Sequence, residues 1–185
     1  LAKAVDFKRL APLKQCPWVA TRRRPQDGGR FPGTEPERQT ILRQAIVSGA
    51  FEWVDLEADV AGAIPRFGKV KRIVSYHNTA ETPANLDAVY ADMLKQDADV
   101  LKVAVAAQSP EDVARVLELQ RTAPKPTVAF CMGDIGQPSR FLALKFGAPW
   151  IYAAFNKERG IAPGLPSMDE FRTTYPVHAI TPDTQ

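Results

Sequence analysis

Cysteine is almost absent from this chain. Cys16 and Cys131 are the only two in 185 residues. They form neither a metal-spaced pair nor a disulfide framework, which suits a reducing, cytoplasmic compartment. Charge of one sign is also scarce. A formal net charge of +3 is too small to imply a nucleic-acid or membrane surface, and Arg22-Arg23-Arg24 is the one basic cluster. No run approaches the roughly 20 apolar residues of a membrane span. The glycines at 28 and 29 follow the first predicted strand but lack the G-x-G-x-x-G spacing of a dinucleotide site. The chain begins at Leu1 rather than methionine, so its start says nothing about a leader. What remains is an ordinary globular composition, 45% hydrophobic and 24% charged, with enough residues for a real core.

The most informative residue is Lys102. It interrupts the apolar run Val100-Leu101-Lys102-Val103-Ala104-Val105-Ala106, which reads as a buried strand. An ammonium buried there must find a partner or shed its charge. A desolvated lysine is a nucleophile, and its usual task is an imine with a carbonyl substrate. The plain alternative is a lysine at a strand edge, or one salt-bridged to an inward carboxylate. The preceding strand, Lys71 to Asn78, carries His77 near its end. Thr82 and Pro83 are expected to open the next helix, and Leu86, Val89, Tyr90, Met93 and Leu94 form its apolar stripe. Strand, helix, strand predicts parallel neighbours. Alternation then puts His77 on one face with Ser75, and Lys102 on one face with Ala104 and Ala106.

Strand and helix alternate along the whole chain. Predicted strands are 18–23, 53–59, the His77 strand, the Lys102 strand, 127–133 and 150–156. Thr34 with Glu37 is a capping box for a helix to about Val47, and Ser167 with Glu170 one for a final helix to about Tyr175. Ser109, Pro110 and Asp112 open a helix to about Gln120. Ser139 to Phe146 is a helix closed by Gly147. Such alternation means α/β with a parallel sheet, either open and doubly wound or a (β/α)8 barrel. Polar residues at alternate strand positions (Asp55, Glu57 and Asp59; Ser75 and His77; Lys102) favour the barrel, where such faces line a shared interior. Six strands cannot close one. Asp55 and Glu57 are also suited simply to pairing with Lys102 or an arginine. Phe130 and Met132 suit the core, His178 the surface. Arg22 and Arg24 are expected to point to solvent, away from the face of Arg23.

An ordered set of motifs resembles the type I 3-dehydroquinate dehydratases, the imine-forming enzymes of the shikimate pathway. The set is Thr21-Arg22-Arg23 with Asp27-Gly28-Gly29, Val54-Asp55-Leu56-Glu57, Val74-Ser75-Tyr76-His77 and Asp99-Val100-Leu101-Lys102-Val103-Ala104. It continues through Met132-Gly133, Gly136, Ser139-Arg140, Phe146-Gly147-Ala148 and Ala162-Pro163-Gly164. The resemblance implies a (β/α)8 TIM-type barrel over residues 1–176, lacking its first strand, first helix and second strand in this chain. Residues 177–185 form a tail or linker that resembles the junction to a shikimate dehydrogenase domain. It also implies roles. Lys102 forms the imine, His77 is the general acid/base and Asp27 orients His77. Arg23, Arg140, Glu57 and Met132 bind substrate, with Arg140 on its carboxylate. No metal or cofactor is implied. The partner is a small molecule, with a homodimer or a fusion to shikimate dehydrogenase as the protein partners it admits. The chain departs from the family pattern at three positions. Ile161 and Leu165 are apolar where the family has a serine and a glutamine, and Thr79 stands where an aromatic is frequent. Two rivals follow: another imine-forming barrel such as an aldolase, and a barrel that binds ligand or a partner without turnover.

Overall fold

The protein is described by a computed structural model covering residues 6–156, 158, 162, 164–174, 177–181 and 183–184. Its elements follow in the order α1 (Phe7–Leu10), β1 (Val19–Thr21), α2 (Glu35–Val47), β2 (Trp53–Glu57), β3 (Lys71–Asn78) and α3 (Leu86–Leu94). Then come β4 (Val100–Ala106), α4 (Pro110–Thr122), β5 (Thr127–Met132), α5 (Gln137–Leu142) and α6 (Met168–Thr173). The five strands take the sheet order β1-β2-β3-β4-β5. The pairs β1–β2, β2–β3 and β4–β5 are parallel. The residues separate into two compact units. One holds the chain up to Ser75 with Gln96–Asp99, the other Tyr76–Lys95 with the chain from Val100 on.

In the first unit, α2 starts where the sequence says it should. Thr34 and Glu37 cap each other's backbone, and Pro36 lies in the first turn, where a missing N–H costs nothing. Its buried face is Arg38, Leu42, Ala45 and Ile46, the i, i+4, i+7, i+8 spacing of one helical side. The parallel register sets Asp55 beside Thr21 and Ile73, and Glu57 beside Ser75. All of these lie on one face of the sheet.

In the second unit, β4 and β5 pair over six residues, with Lys102 opposite Val128, Ala104 opposite Phe130 and Ala106 opposite Met132. One face of this ribbon therefore carries Lys102, Phe130 and Met132. Helix α4 is capped by Ser109 and Asp112 and buries Val113, Val116 and Leu119. Removing such a side chain from water contributes roughly 1.5–3 kcal/mol each. No described helix is long and apolar enough to cross a membrane.

Several elements differ from the sequence reading. Helix α3 begins at Leu86 with Asn85 at its N-cap, not at Thr82. The Thr82 hydroxyl instead donates to the Ala106 carbonyl at 2.8 Å, so Thr82 ties the loop to the end of β4. Residues 150–156 do not form a strand. Ala154 makes one parallel bridge to Ser167 and pairs no further among the described residues. Helix α5 spans Gln137–Leu142 and gives way to turns before Gly147, whose φ of 86° reverses the chain. Helix α6 ends at Thr173. Tyr175 and Ile161 lie outside the described residues, as does the side chain of His178.

Candidate active site

Lys102 stands in the middle of β4 with 9% of its surface exposed. Its Nζ lies over the face of Tyr152, 4.5 Å from the ring centroid. Leu101 and Val103 on either side are fully buried, as alternation on a strand with two covered faces requires. The lysine is thus placed by the strand itself, not by a mobile loop. His77, half-buried, is the penultimate residue of β3. The turn after it is fixed by Asn78, whose side-chain oxygen accepts from the backbone N–H groups of Ala80 and Glu81, each at 3.0 Å.

Arg140 lies on the same side of the β4–β5 ribbon. Its guanidinium carbon is 4.4 Å from the Phe130 ring centroid. Helix α5, which carries it, is pinned to β5 by Ser139. The Ser139 hydroxyl donates to Gly136 O at 2.6 Å and accepts from Cys131 N at 2.7 Å. Gly136 makes this approach possible, since a Cβ there would sit 2.6 Å from the Cβ of Cys131. Arg140 is 3% exposed. Its Nε and Nη2 have no hydrogen-bond partner among the described residues. Burial pushes the guanidinium down from 12.5 to about 10, with Cys131 a weaker opposing influence. A buried, under-satisfied fork of this kind is a receptor for a planar anion. Burial likewise pushes the Cys131 thiol up to about 11, so this cysteine is an inert core residue and not a nucleophile.

The first unit holds a buried ionic cluster. Arg23 Nη2 meets Asp55 Oδ1 at 2.7 Å, and Nη1 donates to Glu57 Oε1 at 2.8 Å and to Ser75 Oγ at 3.0 Å. Ser75 in turn donates to Asp55 at 2.6 Å. Burial alone would lower Arg23, but Asp55 and Glu57 outweigh it and hold the guanidinium charged. The carboxylates at 55 and 57 therefore pair with an arginine, one of the two roles the sequence allows them. Arg24 is not a solvated neighbour. It donates to Asp27 at 2.5 Å and to both oxygens of Asp59 at 2.9 and 3.0 Å. Local folding explains the difference: the 3-10 turn at Pro25–Asp27 bends the chain back and brings Asp27 under Arg24. Arg22 lies against the Phe31 ring at 4.7 Å, not in open solvent.

Sequence reasoning missed Arg38. It is fully buried and donates to Glu57 Oε2 at 2.6 Å, to Arg22 O at 2.9 Å and to Glu35 at 2.7 and 2.8 Å. Glu57 thus bridges two arginines. The signal is legible: position 38 heads the buried face of α2, and a charge on an apolar stripe must be paired.

Comparison with known proteins decides the family. The family model for type I 3-dehydroquinase matches residues 3–182. The chain belongs to the type I 3-dehydroquinase family. It is similar to a 3-dehydroquinate dehydratase from Dehalococcoides mccartyi strain 195, at 34% identity over 92% of this chain and 79% of that protein. It is similar, again at 34%, to the chloroplastic bifunctional 3-dehydroquinate dehydratase/shikimate dehydrogenase of Arabidopsis thaliana. That match covers 97% of this chain, which spans 31% of the length of that relative. Among solved structures it resembles 3-dehydroquinate dehydratase from Geobacillus kaustophilus HTA426, with a TM-score of 0.73 and 28% identity over 87% of this chain and 67% of that one. The fold class is therefore the α/β barrel of the type I dehydroquinases, to which this chain contributes the five parallel strands described. That settles the choice between barrel and open sheet that alternation alone leaves undecided.

Proposed function

We propose that this chain dehydrates 3-dehydroquinate to 3-dehydroshikimate through an imine on Lys102, with His77 as general acid/base. The observation that carries the reading is Lys102 itself, a lysine buried at mid-strand on the same face as a buried arginine fork at Arg140. The neutral Lys102 amine forms a bond to the ketone carbon, and the ketone oxygen leaves as water. The resulting iminium withdraws electrons and acidifies the adjacent C–H. His77 takes that proton, and the electron pair forms the new double bond as the β-hydroxyl departs, protonated by His77, as a second water. Water then hydrolyses the product imine and returns the amine. The net change is loss of one water from the substrate. Arg140 holds the carboxylate with parallel N–H···O bonds.

The other roles are part of the same proposal. Arg23 and Glu57 bind substrate, Met132 lines the site and Asp27 orients His77. A carboxylate accepts at two oxygens, so the bond that Asp27 accepts from Arg24 at Oδ2 leaves it capacity for a second donor. Membership of a family with bifunctional members makes a shikimate dehydrogenase domain the protein partner we propose. One residue favours a second reading. Leu165, half-buried in the turn it makes with Ala162, has a side chain that offers no hydrogen bond. A barrel with that loop binds the ligand without turning it over. Turnover separates the two readings: the conjugated product absorbs in the ultraviolet, and His77→Asn is expected to lose most of that signal. Binding by calorimetry with no absorbance change in the unaltered protein establishes the second reading instead.

A further inference from the structure

The lysine and the arginine of the candidate active site stand on a shared aromatic wall. Lys102 Nζ is 4.5 Å from the centroid of Tyr152, and the Arg140 guanidinium is 4.4 Å from that of Phe130. The two rings touch, with centroids 6.0 Å apart and planes tilted by 52°. Val128, Phe130, Arg140, Ala143, Ile151 and Tyr152 close around a space with no room for a water molecule. An aromatic face attracts a cation through its quadrupole, and the attraction grows as water is removed.

Resting on the imine reading above, we infer that Tyr152 stabilises the cationic iminium on Lys102, a role distinct from filling the core. Nothing in the backbone requires a ring at position 152. The segment 150–156 is not a strand, and among the described residues its single bridge is at Ala154. The charge that the ring meets arises in the reaction. When the neutral amine adds to the ketone and water leaves, the nitrogen keeps one proton and carries the positive charge. Hydrolysis removes that charge and returns the amine. The neutral imine and the neutral amine lack it. A ring at 4.5 Å thus favours the iminium over the neutral imine, and the iminium is the form that acidifies the neighbouring C–H. The same ring turns its other contact to Phe130, which holds Arg140, so the nucleophile and the proposed carboxylate fork are aligned by one packed pair.

The test grades the ring's electrons at constant shape. Position 152 is replaced by phenylalanine and then by mono-, di- and trifluorinated phenylalanine, with Tyr152→Leu as the ringless control. Fluorine drains the ring face and weakens its hold on a cation. The initial rate of borohydride-trapped adduct, read by mass on the intact chain with 3-dehydroquinate, is expected to fall stepwise with each fluorine. It is expected to drop on the order of tenfold in Tyr152→Leu, while phenylalanine recovers most of what leucine loses. KM is expected to change less than kcat. A flat response across the fluorinated series, or leucine at the rate of the unaltered protein, overturns the inference. No adduct in the unaltered protein overturns the imine reading instead, so the two failures are distinguishable.

Discussion

The Arg140 guanidinium lies 4.4 Å above the Phe130 ring, yet two of its three nitrogens, Nε and Nη2, have no hydrogen-bond partner among the described residues. A ring face satisfies charge but not N–H directions. The arginine is thus held in place and left with donors to offer. Arg140→Ala is expected to raise KM roughly thirtyfold, about 2 kcal/mol for losing a charged hydrogen-bond partner. Arg140→Lys is expected to recover only part of this, because an ammonium cannot form the fork. Steady-state kinetics check both, and an unchanged KM in Arg140→Ala refutes the assignment.

Glu57 accepts from Arg38 on one oxygen and from Arg23 on the other. Removing either arginine leaves a buried carboxylate short of a partner. Arg38→Met is expected to lower stability by roughly 3–5 kcal/mol, the cost of breaking a buried pair. The double change Arg38→Met with Glu57→Gln is expected to be less damaging than the sum of its parts, since the uncompensated charge is gone. Urea unfolding measures both. Strict additivity means that Glu57 does not couple to Arg38.

Much of this site is legible in the amino-acid sequence. Lys102 declares itself because a charge in a valine-rich strand has few cheap explanations, and the capping boxes at Thr34, Ser109 and Ser167 mark three helix starts. The failures have physical causes. Thr82 has the right residue type for an N-cap, but its hydroxyl is committed to the Ala106 carbonyl, a tertiary contact invisible locally. Residues 150–156 carry a strand-like run of apolar and aromatic side chains, but among the described residues the only pairing they make is the bridge at Ala154. The Tyr152 ring serves Lys102 and Phe130 instead. Parity, which sends Arg24 to solvent, holds along a strand and lapses where β1 ends at Thr21.

In the proposed reading, Leu165 marks the departure from the family pattern that bears on affinity. A substrate hydroxyl facing it loses water without gaining a partner, a penalty of roughly 1–3 kcal/mol. Leu165→Gln is expected to tighten 3-dehydroquinate binding by a comparable amount in calorimetry. Gly164 constrains the same loop: its φ is 66°, and a Cβ there would sit 2.5 Å from the Gly133 carbonyl oxygen. Gly164→Ala is therefore expected to displace the loop and weaken binding. Leu165→Gln without tighter binding shows that the loop does not face the substrate hydroxyl.

Asp99 gives a pH dependence with a definite sign. Burial alone would raise its carboxyl, but the Arg72 N–H at 2.7 Å and the Arg66 guanidinium at 2.8 Å hold it below its usual value of 3.8. A carboxyl depressed in the folded state stabilises above its unfolded value, and that contribution fades as pH falls through the folded value. Asp99→Asn is expected to lower the urea midpoint at pH 7 and to lose most of that deficit near pH 2. A deficit that is equal at both pH values contradicts the account.

The central claim is that Lys102 is the nucleophile. Its most direct test is borohydride trapping with 3-dehydroquinate, followed by peptide mass mapping. Reduction fixes an iminium as a stable secondary amine, and only an amine held against the ketone forms that iminium at a useful rate. Exposed lysines such as Lys95, which is paired with Asp92 at 2.7 Å on the surface, are not held against the ketone and do not compete. The account predicts one adduct, on the peptide containing Lys102, absent in both Lys102→Ala and Lys102→Arg together with turnover. An adduct on any other lysine, or turnover that survives Lys102→Ala, contradicts it.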